Sequence, residues 1–175
     1  MNLIPGVGLN DTSSGSVVSE ELTTYYVHQG KSFTHSGKTA IANGATDYHF
    51  IKANAGVYPH IWQIFVQADA SPLDVYLFEG STVTVNGTLQ VPVNTNRNSA
   101  TVSGVSVYNG ATVTVDGTQI DYFLVAGSKQ SGGIGNNNGF EINLIPNTNY
   151  TLKIVNNSGG AANVGVYIGW FELNS

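Results

Sequence analysis

Four histidines are the side chains in this sequence best suited to bind a metal ion: His28, His35, His49 and His60. A structural zinc site needs histidine or cysteine ligands in close spacing, and this chain has no cysteine. No two of the histidines lie one helical turn apart, and His28 and His49 stand beside aromatic residues in predicted strands. We therefore expect no metal site and no other cofactor.

A phosphate-binding loop is the second kind of site that a short motif suggests. Gly37-Lys38-Thr39 matches the end of such a loop, but the motif requires a glycine five residues before Gly37, where this chain has Ser32. No helix is predicted after the motif. The glycine-rich segment 132–139 runs into a predicted strand and is typical of a loop rather than of an anion cradle. We therefore expect no nucleotide site.

The acidic residues are scattered and form no close pair of the kind that glycosidases use. Glu20 and Glu21 lie in a polar N-terminal stretch, whereas Asp69, Asp74 and Glu79 flank predicted strands. Distant strands can still bring two carboxylates together, so spacing alone leaves that possibility open. The chain also lacks the Gly-x-Ser-x-Gly turn that carries a serine nucleophile. Since no other catalytic motif is present, we expect no enzyme activity.

The composition limits the kinds of partner. Charged residues make up 10% of the 175 residues, against roughly 25% in average soluble domains. The net charge is −5 and the six Lys and Arg residues are spread along the chain, so no basic patch is available for nucleic acid. No segment approaches the roughly 20 apolar residues of a membrane span, and residues 1–5 lack the basic region of a signal peptide. We expect neither nucleic acid nor a membrane as a partner.

From residue 25 onwards the hydrophobic pattern has a period of two, which predicts strands rather than helices. Turn signals such as Asn43-Gly44 and Ser158-Gly159 separate the short apolar segments. This punctuation favours an all-β, jelly-roll-type antiparallel β-sandwich. The predicted strands are 25–35, 46–53, 61–68, 73–79, 81–85, 89–93, 111–115, 118–125, 140–145, 150–156 and 163–173.

Residues 1–24 differ from the rest of the chain and are predicted to form an N-terminal arm and linker, whereas residues 25–175 form the sandwich domain. Leu3, Ile4 and Leu9 are apolar, and the Ser- and Gly-rich stretch that follows is too polar to fold alone. We expect these three side chains to contact a partner. The alternative is a frayed terminus.

Two predicted strands, 73–79 and 163–173, carry apolar side chains on both faces. A strand at the surface of a two-sheet sandwich buries one face and exposes the other to water, so a second apolar face predicts another sheet layer or another subunit over it. We assign the second face to a homotrimer interface. Its candidate residues are Tyr76, Phe78, Tyr167 and Phe171.

A short repeat lies in the middle of the chain. Thr82–Thr88 and Thr112–Thr118 share the pattern Thr-Val-Thr-Val-Asx-Gly-Thr. Because Asn-Gly and Asp-Gly accept the positive φ of a type I′ turn, each copy predicts a tight hairpin.

Several further motifs follow one another in a fixed order between residues 28 and 173. They are the His-x-Gly-Lys-x-Phe strand at His28–Phe33, the strands His60–Ile64 and Val75–Gly80, the Asn-x-Asn-Arg loop at Asn94–Arg97, the Leu-x-Pro-Asn-Thr-x-Tyr turn at Leu144–Tyr150, and Trp170–Glu172. In this order they resemble the head decoration (cement) proteins and other small virion structural proteins of tailed bacteriophages. The N-terminal arm matches none of the motifs.

This resemblance implies a β-sandwich decoration protein, typically trimeric, on the outer surface of a phage capsid. Its expected partners are the major capsid protein and two further copies of itself, and its expected role is to bind across capsid subunits and stabilise the head. The alternative is a module of a head or tail fibre that binds a host glycan. In that case exposed aromatics such as Tyr58, Tyr108 and Tyr122 would stack on sugars, unless they pack in cross-strand pairs.

Overall fold

The computed structural model describes residues 9–10, 17–18, 22–126, 131–135 and 141–174, and strands dominate these ranges. One helix, α1, spans Leu22–His28. The strands are β1 (Leu9–Asn10), β2 (Val17–Val18), β3 (Ser32–Ile41), β4 (Thr46–Ala53), β5 (Val57–Ala68), β6 (Leu73–Glu79), β7 (Thr82–Val85), β8 (Thr88–Gln90), β9 (Val93–Asn94), β10 (Val105–Asn109), β11 (Thr112–Val115), β12 (Thr118–Val125), β13 (Ser131–Gly135), β14 (Ile142–Asn143), β15 (Asn149–Asn156) and β16 (Ala162–Asn174).

Two antiparallel sheets pack face to face. The front sheet has the order β12-β6-β15-β4-β10-β8, and the back sheet has the order β13-β5-β16-β3-β9, with β14 also pairing with β5. Eight strands form a jelly roll: β4, β15, β6 and β12 lie in the front sheet, and β3, β16, β5 and β13 lie in the back sheet. Successive strands of this set switch sheets except between β6 and β12. The predicted all-β, jelly-roll-type sandwich is confirmed.

The core lies between the sheets and is formed by alternate residues of each long strand. On β16, Val164, Val166, Ile168 and Trp170 are at most 2% exposed and belong to the same buried cluster as Leu77 of β6. Since side chains alternate between the faces of a strand, the residues between them point away from the core. The core face of each of these strands is therefore the one opposite to the residues assigned to the trimer interface.

The segment between β6 and β12 does not form the two predicted hairpins. The repeat copies pair with each other instead, since β7 and β11 form a separate two-stranded ribbon. The strand after each copy then pairs with the strand before the other copy, as Thr118 with Glu79 and Thr88 with Asn109 show. The two copies are thus related by an approximate two-fold axis through the front sheet, which local turn chemistry alone does not reveal.

The ribbon of β7 and β11 crosses the outer face of the front sheet. Tyr150 and Leu152 point into the core, so Thr151 between them points outward, yet it is fully buried. Ser81, at the start of the ribbon, places its Oγ 2.7 Å from Thr151 Oγ1. Phe78 pairs with Thr151 and is only 8% exposed. A third sheet layer of the same chain therefore covers part of the second apolar face of β6.

A helix covers the corresponding face of β16. The strand predicted from residue 25 is wrong in its first part, because α1 ends at His28 and β3 begins at Ser32. Lys31 N–H donates to Tyr26 O and Gly30 N–H donates to Val27 O, the two hydrogen bonds of a Schellman cap, with Gly30 at φ +66°. Tyr26 stacks on Phe171 with 4.3 Å between ring centroids, and this contact holds the short helix against the sheet.

Two further sequence predictions fall partly on residues that the structure describes. In the predicted arm, β1 pairs with β2 through Leu9 and Val18, while Leu3 and Ile4 lie outside the described residues.

In the glycine-rich segment predicted as a loop, residues 131–135 form β13 against β5, so this part of the prediction is wrong. The cross-strand pairing of β13 with an apolar neighbour overrides the low strand propensity of glycine.

Candidate functional site

Two of the four histidines meet in the interior of the sandwich. His35 comes from β3 of the back sheet and His49 from β4 of the front sheet, and their ring centroids are 6.3 Å apart. They are 3% and 0% exposed, respectively. The consecutive strands β3 and β4 lie in opposite sheets, so their inward-pointing residues face each other across the core. The histidine cluster is thus a product of the fold rather than of sequence spacing.

Asp47 and Asn109 complete the histidine cluster. Asp47 Oδ2 lies 3.4 Å from His49 Nε2. A Cβ atom at Gly37 would lie 3.1 Å from His35 Nε2 and 3.0 Å from Asn109 Nδ2, so glycine leaves room for both side chains. Burial tends to raise the pKa of Asp47, but the nearby His49 ring, the Tyr48 backbone and Thr39 lower it below its ordinary value.

The histidine cluster contains buried polar atoms that have no hydrogen-bond partner. Among the described residues, every buried side-chain nitrogen or oxygen without a hydrogen-bond partner belongs to it: one atom each of His35, Asp47 and Asn109 and both ring nitrogens of His49. Burial, with a smaller contribution from the neighbouring His49, lowers the pKa of His35 to about 4. The His35 ring is therefore neutral at pH 7. The described part of the chain holds no group of three His, Cys, Asp or Glu residues that could hold a metal ion.

A histidine–carboxylate pair lies on the outer face of the back sheet. His60 Nδ1 contacts Glu141 Oε1, and the His60 ring stacks on Phe171 with centroids 5.0 Å apart. Such a pair can activate a neighbouring hydroxyl or thiol when one touches the second ring nitrogen. The contacts shown for the His60 ring, with Glu141 and Phe171, supply no such nucleophile. The arrangement anchors the β14 region to the sheet.

Three other carboxylates bind donors that hold the fold together. Asp69 accepts two hydrogen bonds of 2.7 Å from the backbone and side chain of Asn163. Asp116 binds Lys153 Nζ at 2.6 Å. Glu172 is 5% exposed and accepts from Ser103 Oγ, Gly104 N–H and Trp170 Nε1–H.

Two of these carboxylates line clefts. The first cleft, of about 430 Å³, is lined by Lys38, Gln67, Ala68, Asp69, Asn163 and Gly165. The second, of about 350 Å³, is lined by Gln29, Lys31, Phe33, Val57, Thr101, Val102, Gly104 and Glu172. In each cleft the acid is already hydrogen-bonded to its own chain through both oxygens, which leaves it poorly placed to act on a substrate.

Aromatic side chains cover the outer face of the front sheet beside the ribbon. Tyr122 pairs across strands with Tyr76, with centroids 5.0 Å apart, and remains 44% exposed. Its hydroxyl donates to Asp74 Oδ1 at 2.8 Å, and Asn157 Nδ2 donates to Asp74 Oδ2 at 2.6 Å. Both oxygens of Asp74 are therefore bonded within the chain, whereas the exposed face of the Tyr122 ring is of the kind that stacks on a sugar.

The two other tyrosines proposed for sugar stacking lie elsewhere. Tyr108 stacks on Phe50, with centroids 5.5 Å apart, and thus packs in the cross-strand manner of the alternative interpretation. Tyr58 lies on β5 of the back sheet and is 44% exposed.

The four residues assigned to a homotrimer interface lie on two opposite surfaces. Tyr76 and Phe78 lie on the outer face of the front sheet, and Tyr167 and Phe171 on the outer face of the back sheet. Phe171, at 3% exposed, is buried by contacts within the chain, as is Phe78 beneath the ribbon. The structure therefore does not bring the four together into one patch.

Sequence reasoning singled out Tyr122 as exposed but missed five other apolar side chains that the fold leaves exposed on β12 and on the segment 89–93. These residues are Leu89, Val91, Val93, Ile120 and Leu124. Their spacing is visible in the sequence, but the sequence does not tell which strands are edges.

No protein-family model matches the chain, and no curated protein matches it. Within the described residues no helix is long and apolar enough to cross a membrane.

Proposed function

We propose that this chain is a structural virion protein that decorates the outer surface of a phage capsid and stabilises the head. The support from the sequence is the ordered set of motifs between residues 28 and 173 that resembles phage decoration proteins. The jelly-roll sandwich agrees with that expectation of fold. In this proposal the chain acts by contact and has no catalytic role.

The main observation behind the proposal is that the polar clusters are bonded or buried within the chain, whereas many large apolar side chains are exposed at its surface. The polar clusters described above are satisfied by, or buried within, the chain itself, whereas eleven large apolar side chains are exposed among the described residues. Exposed apolar groups gain free energy when another protein covers them, at roughly 25 cal/mol per Å². A protein with this surface is suited to assembly with other subunits.

The mechanism follows from burial of surface. Bound across a junction of major capsid subunits, the protein adds contacts that must be broken before the subunits separate under the outward pressure of packaged DNA. The N-terminal arm supplies a further contact through Leu3, Ile4 and Leu9. An arm that orders on binding loses chain entropy, which offsets part of its contact energy.

The test is binding to capsids that lack decoration protein. Purified shells are mixed with increasing protein, sedimented, and scored for bound protein and for resistance to heat. We expect saturable binding and a higher disruption temperature. Absence of binding to shells of the phage that encodes the protein would refute the proposal.

Deletion of residues 1–20 tests the contribution of the arm. The deletion ends before α1, so we expect the sandwich to stay folded by circular dichroism while half-saturation of the shells shifts to higher protein concentration. Saturation at the wild-type concentration would show that the arm makes no contact. Loss of the folded signal would instead show that residues 1–20 belong to the domain.

A host-glycan-binding module of a head or tail fibre is the second candidate, and the exposed Tyr122 ring beside Asp74 and Asn157 favours it. An aromatic ring covers the apolar face of a sugar, while the amide and carboxylate bond its hydroxyls. A glycan array with wild-type protein and the Tyr122→Ala variant tests it. A glycan signal that the variant loses, together with no binding to shells, would favour this function over decoration.

A further inference from the structure

The front sheet ends at β12, and apolar side chains are exposed along this last strand. Ile120, Tyr122 and Leu124 are 39%, 44% and 47% exposed, at a spacing of two residues. Natural proteins protect edge strands with charged residues, proline or a bulge. β12 has the bulge between Gln119 and Asp121 and the single charge of Asp121, but no lysine or proline. An edge of this kind is suited to contact with another protein chain.

The opposite end of the front sheet carries a second apolar edge. The segment 89–93 leaves β8 and reaches β9 of the back sheet, and Leu89, Val91 and Val93 are 55%, 78% and 46% exposed. Pro92 lies within this segment and lacks a backbone N–H, so side-chain packing is favoured here over strand pairing.

We infer that copies of this chain associate head to tail, with the β12 edge of one copy packed against the segment 89–93 of the next. This inference deepens the proposed function, because it locates the contact between the copies of the decoration trimer. Two different surfaces on opposite sides of one molecule make a heterologous contact, and heterologous contacts close into rings when the rotation permits. A three-membered ring leaves no edge unpaired.

The distribution of charged residues favours head-to-tail pairing with a second copy of the chain. Asp121 lies on the β12 edge, with Asp74 on the neighbouring strand, whereas Arg97 is exposed four residues after Val93 and is the one arginine of the sequence. The segment 82–96 contains no charged residue. Head-to-tail packing brings an acidic edge to a basic one, while pairing of two β12 edges would bring acidic residues together.

The area is sufficient for a specific contact. Taking fully exposed areas on the order of 150–250 Å² per residue, the six exposed fractions amount to roughly 450–750 Å² of accessible surface. A standard interface buries about 1,200–2,000 Å² in total, of which somewhat more than half is apolar. The six side chains therefore supply about half or more of the apolar area that such an interface needs.

Two edge variants and one matched control test the inference. Leu124→Asp places a charge on the β12 edge, and Val91→Asp places one on the opposite edge. Ile145→Asp is the control, because Ile145 is 55% exposed in the turn after β14 and belongs to neither edge segment. Light scattering on full-length protein at micromolar concentration should give three times 18.5 kDa for the wild type and the control. Each edge variant should dissociate at a concentration at least tenfold higher than the wild type does.

A mixture of the two edge variants discriminates between pairing schemes. In head-to-tail association, the intact β12 edge of Val91→Asp binds the intact segment 89–93 of Leu124→Asp, so the mixture should form heterodimers that neither variant forms alone. A wild-type monomer would overturn the inference, as would an effect of Leu124→Asp without any effect of Val91→Asp. Circular dichroism of each variant confirms that it is folded. A wild-type monomer that still decorates shells would overturn this inference and leave the proposed function standing.

Discussion

Acid should destabilise this protein through the buried histidine cluster. The unfolded chain takes up a proton at His35 near the ordinary pKa of 6.5, whereas the folded chain takes it up only near pH 4. The unfolded state therefore binds more protons between these values, and the free energy of unfolding falls as the pH drops through this range. Above pH 6.5 both states hold the neutral ring, so stability does not change there on account of His35.

The size of the effect follows from the two pKa values. A tenfold change in proton affinity is worth about 1.4 kcal/mol, so the drop from 6.5 to about 4 sets an upper limit of roughly 3–4 kcal/mol. Asp47 contributes in the same direction but in a lower window. Its folded pKa lies below the ordinary value of 3.8, so the stability it adds is lost only as the pH falls below that value. The two contributions can therefore be separated by pH.

Urea denaturation at pH 7, 5.5 and 4.5 measures this loss, with the slope of the transition checked for constancy. His35→Gln cannot be protonated and should remove most of the loss between pH 7 and 4.5, although it is expected to lower stability at pH 7. A wild type equally stable at pH 7 and 4.5, or a His35→Gln variant that loses as much stability as the wild type, would refute this reasoning.

Three further predictions concern stability, all measured by chemical denaturation. Trp170→Ala should cost roughly 3–5 kcal/mol because the side chain fills the core, whereas Asn86→Ala at the exposed end of β7 should cost under about 1 kcal/mol, and equal costs would mean that Trp170 is not a core residue. Asp116→Ala should cost up to about 1 kcal/mol more than Asn86→Ala at the equivalent repeat position, because Asp116 binds Tyr48 and Lys153; an equal cost would assign no net stability to those bonds. Gly117→Ala should cost more than Gly110→Ala, because a Cβ at Gly117 would lie 2.3 Å from Glu79 O while one at Gly110 meets nothing within 4 Å, and the reverse order would contradict this geometry.

The jelly-roll class was predictable from the sequence because every second residue of a long strand is apolar and buried. The alternation of Val164, Val166, Ile168 and Trp170 identifies the buried face of β16 whatever strand lies beside it. The helix α1 was not predictable in this way. Its residues Thr23, Thr24 and Tyr25 favour strands, and the helix is held by tertiary contact of Tyr26 with Phe171.

The candidate sites were predictable only as separate residues. The sequence points to His35 and His49 individually, but their meeting depends on β3 and β4 lying in different sheets. Likewise, the sequence identifies Leu89 and Leu124 only as ordinary strand residues. Their positions at opposite edges follow from the order of strands in the sheet. Edge position is a property of long-range pairing, and no local pattern encodes it.

The repeat connects the ribbon with the two edges of the front sheet. Val75–Thr88 and Val105–Thr118 are equivalent over the strand before the crossover, the crossover itself and the turn after it. Because each copy crosses the outer face before its chain re-enters the sheet, β8 and β12 must emerge on opposite sides of the sheet. The crossovers pair with each other as β7 and β11 and fix that separation. The repeat therefore has two effects. It covers part of the second apolar face of β6, and it fixes the distance between the two surfaces that the head-to-tail association requires.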